Sequence, residues 1–413
     1  MKLLSTFLIA FLVLNLSISH AQSWSERADI NPNIGYFGEI VSGQGDFLWA
    51  VSGNTIAQSC DRGNSWTLKY IDDFGRDDIT NASLFFLDEN TGFLLRRGSF
   101  WGMILKTSDG GSTWQLIRES SFDLLPLYQG MDIKFFNESV GIISCLEGKI
   151  LKTVDGGNNW MEVNTPLSGS LANLYEISIV DEQTAWVVGA TGAILKTEDQ
   201  GQSWIQQDIL EGREILYDVE FSTALDGWIV GNGGLILRTE DGGESWNSVF
   251  GIGEESSIYR SIAFSDENQG YICGDIVGDR NVHKTSDGGD NWEAIELDIT
   301  NPLHLLETNN EEPFILTQNG AIYTTAQFSS APLTCPEEEG IRMYPNPTQD
   351  ILKLFGQLEG SSFRLIDLKG KICQEGDLTS NVEKISLLPF AKGVYILEID
   401  RGADVSYTKI VKY

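Results

Sequence analysis

The chain has 413 residues, 59 of them Asp or Glu against 28 Lys or Arg, for a formal charge of −31. So acidic a surface repels nucleic-acid phosphates and excludes nucleic acid as a partner. The length allows one large body and a smaller second domain.

The N-terminus carries an export signal. Lys2 is followed by an apolar run from Leu3 to Leu16, and Ser19-His20-Ala21 fits a small-x-small cleavage site. Residues 1–21 are read as a signal peptide and Gln22 as the mature N-terminus. The run is shorter than the roughly 20 residues a membrane-spanning helix needs, and no later segment is a transmembrane candidate.

A repeated phrase dominates the next three hundred or so residues, as in repeat proteins generally. Lys/Arg-Thr, then Asp-Gly-Gly-x-Ser/Thr/Asn-Trp or a close variant, begins at Asp61, Asp109, Asp155, Asp199, Asp241 and Asp287 and ends at Trp66, Trp114, Trp160, Trp204, Trp246 and Trp292. A period near 45 residues signals a repeat architecture. Residues 216–250 show the unit: strands at 216–221, 227–231, 235–239 and 245–250, separated by turns at 222–226, 232–234 and 241–243. Four short antiparallel strands per repeat make one propeller blade. The Asp accepts hydrogen bonds from its own loop, the glycines allow positive φ, and the Trp offers a large ring to bury between sheets. Six regular copies read as structural staples, since one active site does not need six.

A seventh unit comes after the last box. Pro313-Phe314-Ile315-Leu316, Gln318-Asn319-Gly320 and Ala321 to Thr325 match strands two and three, but box and fourth strand are missing. Ser23-Trp24-Ser25-Glu26-Arg27 resembles the residues after a box (Ser203-Trp204-Ile205-Gln206-Gln207). Residues 22–30 are therefore expected to complete blade seven and hide two raw sheet edges. The expected ring spans residues 22–328 and the fold class is all-β.

These boxes resemble the Asp-box, or BNR repeat, of sialidases and related propellers. Together with the Gly-x-Ile-Leu-Lys-Thr strands and Gly-Trp-x-Val-Gly strands (Ala185 to Gly189, Gly227 to Gly231), residues 24–328 most resemble the photosystem II assembly and stability factor family of seven-bladed propellers. That resemblance implies the fold. The assembly role, which the family serves with a basic patch, is not carried over to so acidic a chain.

Residues 329–340, with Pro332, Pro336 and Glu337 to Glu339, read as a linker. Short alternating strands come next, at 351–355, 363–367, 371–374, 384–387, 394–399 and 407–412, giving a small Ig-like β-sandwich over 341–413. Tyr344-Pro345-Asn346-Pro347, the Asp367 to Ile372 hairpin, Gly393 to Leu397 and Lys409 to Tyr413 resemble the type A sorting domain of type IX secretion in Bacteroidetes. This implies the secretion machinery as partner and a secreted or outer-surface location.

No catalytic constellation emerges. The three histidines, His20, His283 and His304, form neither metal site nor triad, and no GxSxG, HExxH or P-loop is present. Of the three arginines that sialidases use on the substrate carboxylate, Arg260 alone sits at the start of a blade. The five cysteines have no zinc spacing; Cys145 and Cys273, three repeats apart, read as buried free thiols. One constellation remains. Aligned starts of the first strands read Ser83, Asp132, Glu176, Asp218 and Ser261, beside a column of Met131, Tyr175, Tyr217 and Arg260. Asp132, Glu176, Asp218, Tyr175, Tyr217 and Arg260 are the candidate ligand-binding residues, on the face opposite the boxes. Clustered carboxylates there either line a water-filled mouth or recruit a cation or a basic peptide; calcium is the candidate ion, and no other cofactor is implied. The reading is a surface binding or scaffold module for a protein or glycan ligand. The alternatives are an extracellular glycoside hydrolase and an assembly chaperone for another exported protein.

Overall fold

The computed structural model describes residues 25–27, 39–42, 47–61, 63, 65–71, 74, 78–121, 128–168, 172–207, 214–249, 256–275, 282–295, 302–307, 313–317, 322–324, 342–344, 351–355, 358–379, 382–402 and 405–412. The signal-peptide and linker assignments lie outside them. Seven four-stranded antiparallel sheets succeed one another along the chain. Their first strands are Glu39–Ser42, Thr80–Phe86, Gly130–Phe135, Leu174–Ile179, Leu216–Phe221, Ile258–Phe264 and Pro302–Glu307. Each contacts the first strand of the next sheet, and the seventh contacts the first, so the sheets close into a ring around an axis. The seventh sheet takes Pro302–Glu307, Pro313–Thr317 and Ile322–Thr324 from one end of the ring and Ser25–Arg27 from the other. Ser25 pairs with Thr324 and Arg27 with Ile322.

The second strands sit between neighbouring sheets, so both of their faces are apolar. Gly141–Cys145, Ala185–Gly189 and Gly227–Gly231 are buried at every position. At several interfaces between blades the core is an aromatic cluster of recurring geometry. Trp186 of blade four stacks on Phe221 of blade five (5.8 Å) and meets the box residue Trp246 edge-on (5.6 Å, 82°). Trp228, Phe264 and Trp292 repeat this between blades five and six, and Phe93, Phe135 and Trp160 between two and three. Burial of each large ring contributes about 2–3 kcal/mol, and the ring pairs add about 1 kcal/mol.

The box turns are closed by their own hydrogen bonds. Asp109 Oδ1 accepts from the Thr107 hydroxyl and the Thr113 N–H (both 2.8 Å), and Oδ2 from the Thr113 hydroxyl (2.6 Å). The Thr107 hydroxyl accepts from the Gly111 N–H (2.9 Å). The same pattern recurs at Asp61, Asp155, Asp199, Asp241 and Asp287. These bonds, led by the side-chain donors Asn159 and Ser245, hold the Asp155 and Asp241 carboxyls down at about 2. The second box glycine has a further reason to be glycine. Gly243 has φ +83°, and a Cβ there would lie 2.1 Å from the Trp186 ring of the preceding blade. The Lys of the Lys-Thr pair also reaches forward: Lys106 Nζ donates to the Gly156 carbonyl (2.7 Å) and Asn158 Oδ1 (3.0 Å) in the next box. Arg238 likewise donates to Asp290 (2.7 Å).

The fourth strand of blade five is shorter than the sequence suggests. Blade five has only Asn247–Ser248, because Trp246 turns inward and the chain resumes ladder bonding at Arg238–Asn247. Cys145 and Cys273 are buried free thiols, and Cys373 is free. Cys60 is disulfide-bonded, which the cysteine spacing did not reveal, and Cys335 lies outside the described residues.

The C-terminal unit is two sheets. One is Arg342–Tyr344, Ile351–Phe355 and Val382–Ser386; the other orders Ile372–Leu378, Ser361–Asp367, Gly393–Asp400 and Val405–Lys412. Alternating residues, among them Leu354, Leu365, Leu397 and Ile410, form its core.

Candidate ligand-binding mouth of the ring

Antiparallel connectivity places the boxes, between strands three and four, on one face of the ring. The starts of the first strands lie on the other. In blades two to six a bulge sits at that start, for example between Gly130 and Asp132 and between Leu216 and Asp218. The bulge inserts an extra residue that re-aims the next side chain. In blades three to six the residue in the bulge is Met131, Tyr175, Tyr217 or Arg260; the residue after it is Asp132, Glu176, Asp218 or Ser261.

The carboxylate column is brought together, but as ties between blades rather than an open acidic cluster. Asp132, 2% exposed, accepts from the Ser83 hydroxyl of blade two (2.8 Å) and the Ile177 N–H of blade four (3.1 Å). Asp218 accepts from the Ser261 hydroxyl and the Ile262 N–H of blade six (both 2.9 Å). Glu176 meets Lys134 Nζ at 3.3 Å, and Lys134 also pairs with Asp132 at 3.4 Å. Lys134 therefore sits where a cation would be recruited. Among the described residues no group of three or more His, Cys, Asp or Glu converges as metal ligands.

Two participants were missed. Lys134 and Glu220 lie two residues beyond Asp132 and Asp218 on the same strand faces, so the period of two could have found them. Burial pushes the Glu220 carboxyl up to about 8; the Asp218 charge adds to this and Lys134 opposes it. Burial also raises Asp218, against the pull of its bonds from Ile262 and Ser261. Burial thus favours the protonated form of Glu220.

The neighbouring column forms a shelf. Tyr175 and Tyr217 stack across blades four and five, 6.3 Å apart and 14° from parallel. The Arg260 guanidinium lies 5.4 Å over Tyr217, locked by Asp275 Oδ2 at 3.0 Å from Nε and 2.6 Å from Nη2. All three are partly exposed. Such a shelf offers ring edges, hydroxyls and a fixed guanidinium to a ligand crossing the mouth.

The six box aspartates do not gather in a cleft; each closes its own turn.

Comparison with known proteins places the chain. The family model "Photosynthesis system II assembly factor YCF48" matches residues 120–212 and 206–331. The chain belongs to the YCF48 family. A second model, "Secretion system C-terminal sorting domain", matches residues 342–413. YCF48 bound to D1 peptide superposes with TM-score 0.59 at 19% identity, covering 74% of this chain and 97% of that one. YCF48 from Cyanidioschyzon merolae gives 0.58 at 16%, covering 73% and 98%. PorZ, described as an essential bacterial surface component of the type-IX secretion system of Porphyromonas gingivalis, gives 0.51 at 15%, covering 93% and 60%. At such identities these structures show the fold. No curated protein matches. The sorting domain marks the YCF48-family chain for type IX export, to the cell surface or the medium. No helix among its described residues is long and apolar enough to cross a membrane.

Proposed function

We propose that the exported ring is a binding module, and that its ligand is an extended polypeptide seated on the mouth opposite the Asp-boxes. The observation that carries this is the Tyr175–Tyr217–Arg260 shelf: two rings and a clamped guanidinium, partly exposed, on a rigid bulged scaffold. Loops on rigid scaffolds are where ligands are usually held. The peptide carried by the solved YCF48 structure supports a polypeptide over a glycan. A partner that is itself exported, as a chaperone role requires, fits the same surface.

Panning a displayed peptide library on the mature chain, with the Tyr175→Ala/Tyr217→Ala double variant as counter-selection, tests this. Peptides dependent on the tyrosine pair are expected; a library yielding none removes the reading.

One observation favours the hydrolase alternative. Burial pushes the Glu220 carboxyl up to about 8, the direction a general acid needs. Its neighbour Asp218 has Oδ2 committed to Ser261 and Ile262, which argues against a free base or nucleophile. Polysaccharide turnover lost on Glu220→Gln would reverse the preference.

A further inference from the structure

Blade two stands taller than the three blades that follow it. Counted from the box end, its second and third strands stay in register over seven pairs, from Gly92–Thr107 to Gly98–Trp101. In blades three, four and five the same ladder starts at Gly141–Thr153, Ala185–Thr197 and Gly227–Thr239 and runs over four. The box ends are aligned, so the excess projects from the mouth face, by about 10 Å at the usual rise of a strand. The fourth strand goes with it: Ser121 pairs with Trp101. Blade two therefore raises a wall beside the mouth, topped by the turn Gly98-Ser99-Phe100-Trp101.

That turn is braced from both sides. Asp78 Oδ1 accepts from the Trp101 indole N–H (2.7 Å), and its Oδ2 accepts from the Ser99 N–H (3.1 Å). Gln129, at the root of blade three, donates to the Gly98 carbonyl. Gly98 has no room for a side chain, since a Cβ there would lie 2.1 Å from Trp101 Nε1. Trp101 turns inward and is 4% exposed. Phe100 turns outward and is 66% exposed, more than any other large apolar side chain among the described residues of the ring. Turn tips ordinarily carry Gly, Asn, Asp, Pro or Ser. A large ring held in water on a rigid tip is instead what a binding anchor requires: contact area with little entropy left to lose. The tip also leans toward the shelf. Gln129 lies two residues before Met131, the partly exposed bulge residue that heads the column continuing through Tyr175 and Tyr217 to Arg260. One end of the mouth is thus apolar and the other is closed by the Arg260–Asp275 pair.

We propose that Phe100 is the hydrophobic anchor of the mouth, and that with Met131 it takes one bulky apolar side chain, Leu, Met or Phe, from the bound polypeptide. This rests on the polypeptide reading above and makes it specific. A ring edge and an adaptable thioether pack on any of the three. An anionic lipid surface is the poorer occupant for an exposed ring here, because a chain of charge −31 is repelled by it.

Double-mutant cycles on the mature chain test it. Tyrosine-dependent peptides from the panning are expected to share one bulky apolar position, and alanine there should weaken binding about tenfold or more. Phe100→Ser should weaken the native peptide about equally and leave the alanine peptide unchanged; Phe100→Leu should recover part of the loss. The Phe100→Ser melting transition should match the wild type, and a drop of several degrees would make the ring part of the fold and overturn the assignment. Peptides that bind through the tyrosines but ignore Phe100→Ser would overturn the anchor and leave the polypeptide reading standing. A library that yields no peptide removes both. Phosphatidylcholine vesicles should not sediment the chain; sedimentation lost in Phe100→Ser would assign the ring to a lipid surface and overturn the proposal. Self-association abolished by Phe100→Ser would assign it to a second copy, with the same consequence.

Discussion

Replacing Gly243 by alanine isolates the contact that joins one blade to the next. The new methyl would meet the Trp186 ring of blade four at 2.1 Å, and the residue would be held at φ +83°. The left-handed backbone costs about 1–2 kcal/mol, and overpacking against a buried ring about 1–3 kcal/mol more. Gly111 supplies the control. It has the same place in its box and nearly the same φ, +82°, but its nearest neighbour would be 3.6 Å away. Gly111→Ala should therefore cost only the backbone part, about 1–2 kcal/mol. For a body this large, about 2 °C of melting temperature is lost per kcal/mol, so we expect drops of about 4–10 °C for Gly243→Ala and about 2–4 °C for Gly111→Ala. Differential scanning calorimetry of the mature chain reads both. Equal drops would refute the packing of second-strand rings on the following box.

Other outcomes follow from the same geometry. Glu220 has a folded-state value of about 8 against 4.5 for the free group, so the native state keeps a proton the unfolded chain has lost across that window. Stability should fall as pH rises from about 4.5 to 8 and level off above it. Glu220→Gln should remove that slope in melting curves and match the wild type near pH 4.5; a slope that persists would place the titrating group elsewhere. Deleting residues 22–30 removes the strand Ser25–Arg27 from the seventh sheet and should lower the melting temperature sharply; an unchanged transition would mean that the ring does not need its N-terminal strand. Calcium calorimetry should show no heat, because Lys134 and neighbouring amides already occupy the Asp132, Glu176 and Asp218 oxygens; a heat lost in Asp132→Asn/Asp218→Asn would contradict this. Cys60 is disulfide-bonded, whereas Cys145, Cys273 and Cys373 are free. Non-reducing peptide mapping should recover the Cys60 peptide joined to a second cysteine-containing peptide, and a Cys60 thiol that alkylates freely would contradict the bond.

Repetition made the ring legible. Each box places an Asp, a glycine and a Trp at fixed offsets, and every one of those offsets reports local geometry. The N-terminal strand was readable because Ser23 to Arg27 repeats the wording of a fourth strand. The mouth was only half readable. Aligning the repeats brings Asp132, Glu176 and Asp218 to one level, but their hydrogen-bond partners, Ser83, Ile177, Ser261 and Ile262, come from a neighbouring blade about 45 residues away. Spacing along the chain therefore suggested free carboxylates where the fold has ties.

Where a ligand lands on the ring is the most direct test of the functional reading. A tyrosine-dependent peptide from the panning, carrying a photoreactive residue at each position in turn, should crosslink to the chain around Tyr175, Tyr217 and Arg260. Crosslinks gathered instead on the box turns at Asp109, Asp155 or Asp199 would contradict it, because the ligand would then sit on the opposite face.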